Sequence, residues 1–317
     1  MDDNKPLVAI HCLVYNHEPY LRDCFEGFVM QQTTFPFVVI VHDDASTDGS
    51  AGIIREYAEK YSHIFKPIYQ KENLYKKGGF RVINEVIFSV IDGIGAKYVA
   101  MCEGDDYWID PLKLQKQVDI LEADETLMAV CTDTSIVDNH SLVLNAKRGG
   151  VVENDIEGRY TLRDFFRGNH QYPTASVIYR NIHKEEVRYK MAHTRNAYLG
   201  DWTMWICLHL FGDFYYINEP MVAYRINPMS VTHTCSRVGR AKANWTICQS
   251  VADILPEEYA DIASELRTPN WAWVSLMLAY KAEKKYIPML GCAIVALFKC
   301  PRTLRNTYKK SNDNHAK

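Results

Sequence analysis

The chain has 317 residues, 47% of them hydrophobic, enough for one large α/β domain with additions or for one domain plus a smaller second one. Lys and Arg number 36 against 39 Asp and Glu, and the resulting net charge of -3 excludes a nucleic-acid binder of the generally basic kind. The 9 cysteines, scattered from Cys12 to Cys300 without a CxxC pair, exclude common zinc and thioredoxin-like motifs and read as reduced thiols of a cytosolic protein.

The stretch Met1 to Pro6 lacks the charged and apolar regions of a signal peptide. Leu7–Val14 is an apolar, β-branched run that predicts a buried strand. Glu18–Met30 carries Leu21, Phe25, Phe28 and Val29 at helical spacing. Phe37–Val41 predicts a second buried strand, and Ser50–Tyr61 a helix with Ile53, Ile54, Tyr57 and Tyr61 on one face. Ile64–Tyr69 predicts a third strand, which Pro67 assigns to an edge. Phe80–Ile91 reads as a helix, Lys97–Cys102 as a fourth strand, and Asp110-Pro111 as the start of a helix running to about Leu121, with Asp as N-cap. Met128–Thr132 predicts a fifth strand. The pattern weakens from about Asn139 to Tyr172, where a surface loop or an acceptor-binding insertion would fit. Ala175–Tyr179 reads as a strand, Asp201–Phe211 as a helix and Phe214–Ile217 as a short strand, and the chain becomes helical after His233.

Alternating strands and helices predict a mostly parallel, Rossmann-like central sheet flanked by helices. In such sheets ligands gather beyond the carboxyl ends of the strands. Two acidic clusters stand at such ends. His42-Asp43-Asp44-Ala45-Ser46-Thr47-Asp48-Gly49-Ser50 follows the second strand, and Glu103-Gly104-Asp105-Asp106-Tyr107-Trp108 follows the fourth. Adjacent carboxylates repel, and a cation, a helix N-terminus or a donor-rich ligand offsets the cost. A hard divalent ion held by the second cluster and bridging a diphosphate satisfies that requirement. A turn followed by a helix N-cap accounts equally well for the first cluster alone. Tyr107, Trp108 and Trp202 flank acidic candidates, where aromatic rings serve either sugar stacking or core packing.

Taken in order, Leu13-Val14-Tyr15-Asn16, Asp43–Ser50, Glu103–Asp106, Tyr107-Trp108, Asp110-Pro111-Leu112-Lys113-Leu114, Gly200-Asp201-Trp202 and Tyr224-Arg225 leading to Ser230-Val231 resemble the family 2 glycosyltransferases with a GT-A fold. The resemblance covers roughly residues 6 to 233. It implies a GT-A domain over 1–233 with a helical C-terminal extension over 234–317. It also implies inverting transfer of a sugar from a nucleotide diphosphate sugar, by family frequency a UDP-sugar, to the hydroxyl of a glycan or lipid-linked acceptor, with Mn2+ or Mg2+ as cofactor. By the same resemblance Tyr15 lies beside the nucleobase, Asp44 or its neighbour Asp43 bonds the base edge, and Asn73 is a further base contact. Glu103 and Asp105 match the ends of the DxD motif, Asp105 being the metal ligand. Asp106 is expected near the ribose or donor sugar. Asp201 matches the acid that deprotonates the acceptor, and Arg225 lies where the family closes over the diphosphate.

Three positions depart from the family pattern: Glu103 replaces the shorter Asp, Ala45 replaces a Gly, and Asn227 stands where many relatives carry His, leaving His233 as a substitute ligand. Asp201 opens a helix, so an N-cap role competes with the base role. An acid there normally has a lowered pKa, and partial burial near Trp202 is needed to keep it basic. A nucleotidyltransferase would want a Gly-rich basic loop after the first strand, where this chain has Tyr15-Asn16-His17-Glu18, and no GxGxxG suits a dehydrogenase. A domain that binds nucleotide sugar without turning it over is the remaining alternative. Ile287–Phe298 is apolar but shorter than the roughly 20 residues a bilayer span requires, and Lys284, Lys285, Lys299, Arg302 and Arg305 flank it. It suits either peripheral contact with the inner face of the cell membrane or a helix packed on the catalytic domain.

Overall fold

The computed structural model describes residues 5–149, 151–168, 172–182, 200–227, 236–267 and 270–299. The chain divides into two compact units, one of Met1–Arg188 with Met204–Asn227, the other of Tyr189–Thr203 with Pro228–Lys317. The expected boundary between 233 and 234 lies outside the described residues.

The first unit is built on one sheet. Its strands are β1 (Val8–Val14), β2 (Phe37–Asp43), β3 (Phe65–Tyr69), β4 (Tyr98–Met101), β5 (Tyr107–Trp108), β6 (Leu127–Val137), β7 (Val143–Asn145), β8 (Gly158–Tyr160), β9 (Ile178–Arg180) and β10 (Asp213–Arg225). They run in the order β3-β2-β1-β4-β9-β6-β10-β5, with β7 on β6 and β8 on β10. The β3-β2-β1-β4 half is parallel, as is the β6–β10 pair, whereas β9, β5, β7 and β8 join antiparallel. The sheet is therefore mixed, and β3 with its Pro67 is an edge strand.

Helices cover both faces. On one side α1 (Leu21–Val29), α2 (Ser50–Lys60) and α4 (Lys113–Ala123) bury Phe25, Phe28, Ile54, Leu114 and Val118 against Ile10, Cys12, Val39 and Val41. On the other, α3 (Leu74–Ile94) buries Ile83, Ile87 and Ile91, one per turn, and sets Phe88 edge-on to His11 of β1. Each such aliphatic side chain contributes roughly 1.5–3 kcal/mol on full burial. Gly27 lets α1 lie directly on β5, since a Cβ there would meet the backbone N of Trp108 at 2.8 Å. The helix α5 (Leu162–Gly168) follows β8, and α6 (Gly200–His209) precedes β10.

Two strands run five residues or more past their predicted ends. β6 runs on to Val137, and β10 continues eight residues past Ile217 to Arg225. Pro220 cannot donate to a ladder. In the sheet, Pro220 sits at register shifts between β10 and β6, where the missing donor is tolerated. This extension carries Arg225 to the carboxyl edge.

The second unit is helical, with α7 (Arg237–Ile254), α8 (Ala260–Arg267), α9 (Asn270–Ala282) and α10 (Tyr286–Lys299). Val238 and Ala241 of α7, Val274 and Met277 of α9, and Cys292 and Ala296 of α10 form its core.

Ala45 has φ +59°, a left-handed backbone that favours glycine. That explains the family preference at this position. Ala45→Gly should raise the free energy of unfolding by roughly 0.5 kcal/mol, after allowing for glycine's larger unfolded-state entropy. A lower urea midpoint in the variant would contradict this.

Candidate active site

The site forms where β1 and β2 end level, beside β4, which stops opposite His11, three residues before the end of β1. Val14 pairs with Asp43 and His11 with Met101, so three loops leave the sheet side by side. Backbone bonds continue the ladder into them: Asp44 N donates to Val14 O, Cys102 N to His11 O and Gly104 N to Leu13 O, at 2.9–3.1 Å. Side chains then join the first two loops. Asn16, at φ +55°, accepts from Thr47 N through Oδ1, and its own N–H donates to Ser46 Oγ. His17 N donates to Ser50 Oγ, and Gly49 N to Glu18 Oε2. Tyr15 is partly exposed at the end of β1.

Asp43 and Asp44 of the first acidic cluster are buried. Asp43 Oδ1 accepts from Ser46 N at 3.0 Å. The Asp44 carboxylate accepts from Leu74 N at 2.6 Å and Tyr75 N at 3.1 Å. Asn73 donates from Nδ2 to Asp44 O and accepts from Lys76 N through Oδ1, capping the first turn of α3. Asp44 and Asn73 are thus brought together, and their bonds hold the 73–76 turn over the end of β2. The backbone bends sharply just beyond, at Gly78 and Gly79.

The second cluster is divided in two by burial. Gly104 fits closely, since a Cβ would meet His17 Nδ1 and Leu21 Cδ2 at 2.9 Å. Glu103 is partly exposed. Asp105 is also partly exposed, with its Oδ2 accepting from Asn227 Nδ2 at 3.2 Å and lying 3.9 Å from His17 Nε2. Asp106 turns inward, and its Oδ1 accepts from Arg225 N at 2.8 Å. Burial, reinforced by Asp105 and Glu103, pushes the Asp106 carboxyl well above the usual range.

Arg225 is 3% exposed. Its Nε donates to Asp105 O, Nη1 to Asp138 O and Nη2 to Asp23 Oδ2, while Ser141 Oγ accepts from both terminal nitrogens. The guanidinium also lies 4.6 Å from the Tyr20 ring centre and 5.4 Å from that of Tyr107. The sequence expectation put this residue on the diphosphate. The structure turns its donors to the protein, where they fix the backbone of the Asp105 loop. Beneath the loop, Lys113 Nζ sits 4.1 Å from the Trp108 ring centre and donates to Gln117, with its pKa pulled down to about 7 by burial.

Asp201 occupies the first turn of α6 and is counted with the second unit. It is exposed, yet desolvation raises its pKa above the usual carboxylate value, against the lowering effect of the Trp202 and Asp201 backbone N–H groups. His233 lies outside the described residues.

Among the described residues no group of three His, Cys, Asp or Glu encloses an ion unaided. The partly exposed carboxylates of Glu103 and Asp105 still fit a hard divalent ion, because such ions are commonly held by one or two carboxylates together with substrate phosphates and water. Two neighbours of Asp105 were not singled out as site residues by sequence reasoning. His17 follows β1 as the acids follow β2 and β4, a signal of place that a search for acids overlooks. Asn227, read as a departure from the family pattern, stands against Asp105.

The chain matches the family model described as Glycosyl transferase family 2 over residues 10–187. An uncharacterized protein of Mycobacterium tuberculosis is 44% identical over 115 residues, 36% of this chain and 31% of that protein. A Bacillus subtilis protein provisionally named the teichuronic acid biosynthesis glycosyltransferase TuaG is 31% identical over 121 residues, 38% of this chain and 44% of that protein. The match thus takes in less than half the length of either relative. The crystal structure of S. aureus TarS 1-349 in complex with UDP-GlcNAc superposes with a TM-score of 0.60 at 15% identity, over 86% of this chain and 79% of that one, a likeness of fold.

Arg225→Met should lower the free energy of unfolding by about 2–4 kcal/mol, because it strands buried acceptors around Asp105 and Asp138. An unchanged unfolding midpoint together with lost turnover would return the guanidinium to the diphosphate. With the family model matching residues 10–187, more than half its length, the chain belongs to glycosyl transferase family 2.

Proposed function

We propose that this chain is an inverting, metal-dependent hexosyltransferase that moves a sugar from a UDP-sugar to an acceptor hydroxyl in surface polysaccharide or glycan synthesis. One observation carries the reading: Asp105 presents a partly exposed carboxylate at the carboxyl edge of β1, β2 and β4, between His17 and Asn227. Family membership supports glycosyl transfer. The nucleotide sugar bound by TarS supports the donor class, and the name of the Bacillus relative supports a polysaccharide product.

In this reading Tyr15, Asp43 and the Asn73 turn line the nucleobase side, with Asp44 holding that turn in place. Asp105, with Glu103 beside it, would hold Mn2+ or Mg2+, which when bound would supply positive charge to the leaving diphosphate. Asp106 and Arg225 are positioning residues that keep the Asp105 backbone fixed, so little reorganisation accompanies reaction. Asp201 takes the proton from the acceptor hydroxyl. The freed oxygen attacks the anomeric carbon from the face opposite the diphosphate, the bond to that leaving group breaks, and the centre inverts. The acceptor is a growing glycan or a lipid-linked one, met at the cytoplasmic face of the cell membrane.

Release of UDP from a donor panel, with and without manganese, tests the reading. Asp105→Asn should lower transfer about a hundredfold or more. Asp201→Asn should retain donor binding and lose about a hundredfold or more of kcat. A base must be unprotonated, so kcat should fall as the pH drops through the Asp201 pKa, with the acid limb above the ordinary value of about 4. Full turnover by Asp201→Asn would remove the base assignment. Donor binding without UDP release in any acceptor mixture would favour a pure binding domain.

A further inference from the structure

The helix α10 has two apolar faces. Met289, Cys292, Ala293 and Ala296 pack into the core of the second unit. Ile287, Leu290, Ile294, Leu297 and Phe298 form a second stripe at helical spacing, 85%, 56%, 56%, 57% and 85% exposed. A contiguous apolar patch of this kind calls for a partner. Charge identifies which one. From Lys284 to the end of the chain at Lys317 the sequence carries eight Lys and Arg against the single acid Asp313, while the chain as a whole is net -3. In sequence the positive charge therefore flanks the stripe on both sides. No helix among the described residues is long and apolar enough to cross a membrane. With 14 residues α10 spans about 21 Å, short of the roughly 30 Å hydrocarbon core.

We infer that α10 is an interfacial anchor that lies in the plane of an anionic lipid surface. This deepens the membrane-side placement proposed above and rests on it. The side chains of Ile287, Leu290, Ile294, Leu297 and Phe298 enter the acyl boundary, and Lys284 and Lys285 at the start of the helix meet lipid phosphates. The packed face stays on α9, so insertion requires no unfolding of the second unit. A second copy of this chain is the weaker occupant, because two such helices would bring their basic flanks together.

The test is co-sedimentation of the full chain with vesicles of phosphatidylcholine alone and of phosphatidylcholine mixed with phosphatidylglycerol. The chain should bind the mixed vesicles, bind the neutral ones far more weakly, and be released by salt. Ile294→Gln with Phe298→Gln should weaken binding about tenfold or more with an unchanged circular dichroism spectrum, since both side chains are exposed. Lys284→Gln with Lys285→Gln should weaken binding to the mixed vesicles alone. Failure of the chain to sediment with anionic vesicles, or equal binding by the Gln variants, would overturn the inference. So would a dimer in light scattering that the Ile294 and Phe298 substitutions convert to monomer. The readout uses neither donor nor acceptor, so loss of binding and absence of glycosyl transfer are separate results.

Discussion

Neighbouring carboxylates at the end of a strand repel each other, and the architecture of this site follows from how that repulsion is relieved. Asp106 is buried and bonded to the Arg225 backbone, its charge suppressed by burial, while Asp105 remains partly exposed. The Arg225 side chain ties the Asp105 carbonyl to Asp138, Ser141 and Asp23, residues that are remote in sequence. A hydrogen bond to a charged group is worth roughly 1.5–3 kcal/mol, so several together can hold the acidic loop in one geometry. Asp105, with Glu103 beside it, is left partly exposed, its backbone carbonyl bonded by Arg225.

The same economy operates in the first cluster. Asp44 is spent on the backbone of Leu74 and Tyr75, and Asn73 on Asp44 and Lys76. These residues shape the cleft by positioning the 73–76 turn. Motif conservation among relatives does not separate a residue that touches a ligand from one that holds such a residue in place. Both roles need the same side chain at the same spacing, and only the hydrogen-bond partners distinguish them.

Much of the fold was legible because buried parallel strands leave strong apolar runs, and the seven predicted strands overlap or adjoin observed ones. The edge position of β3 followed from Pro67. What escaped was structure set by tertiary pairing. β5 is two residues long, and β10 passes through Pro220 at a register break, so neither leaves a local pattern. In the site, acids behind strands were found by place and type. His17 and the inward turn of Arg225 were not, because a lone His carries no spacing signal and an Arg at a strand end reads the same whether it faces solvent or core. Ala45 shows the converse case: its left-handed backbone accounts for a glycine preference that the family pattern alone leaves unexplained.

The central claim is that Asp105 and a divalent ion together grip a nucleoside diphosphate at the carboxyl edge of the sheet. Calorimetric titration with UDP, in manganese and then in a metal chelator, for the native chain and for Asp105→Asn, addresses it directly. The account predicts tight binding only for the native chain with manganese, with a loss of about tenfold or more when either the ion or the carboxylate is removed. Equal UDP affinity in all four conditions would contradict it.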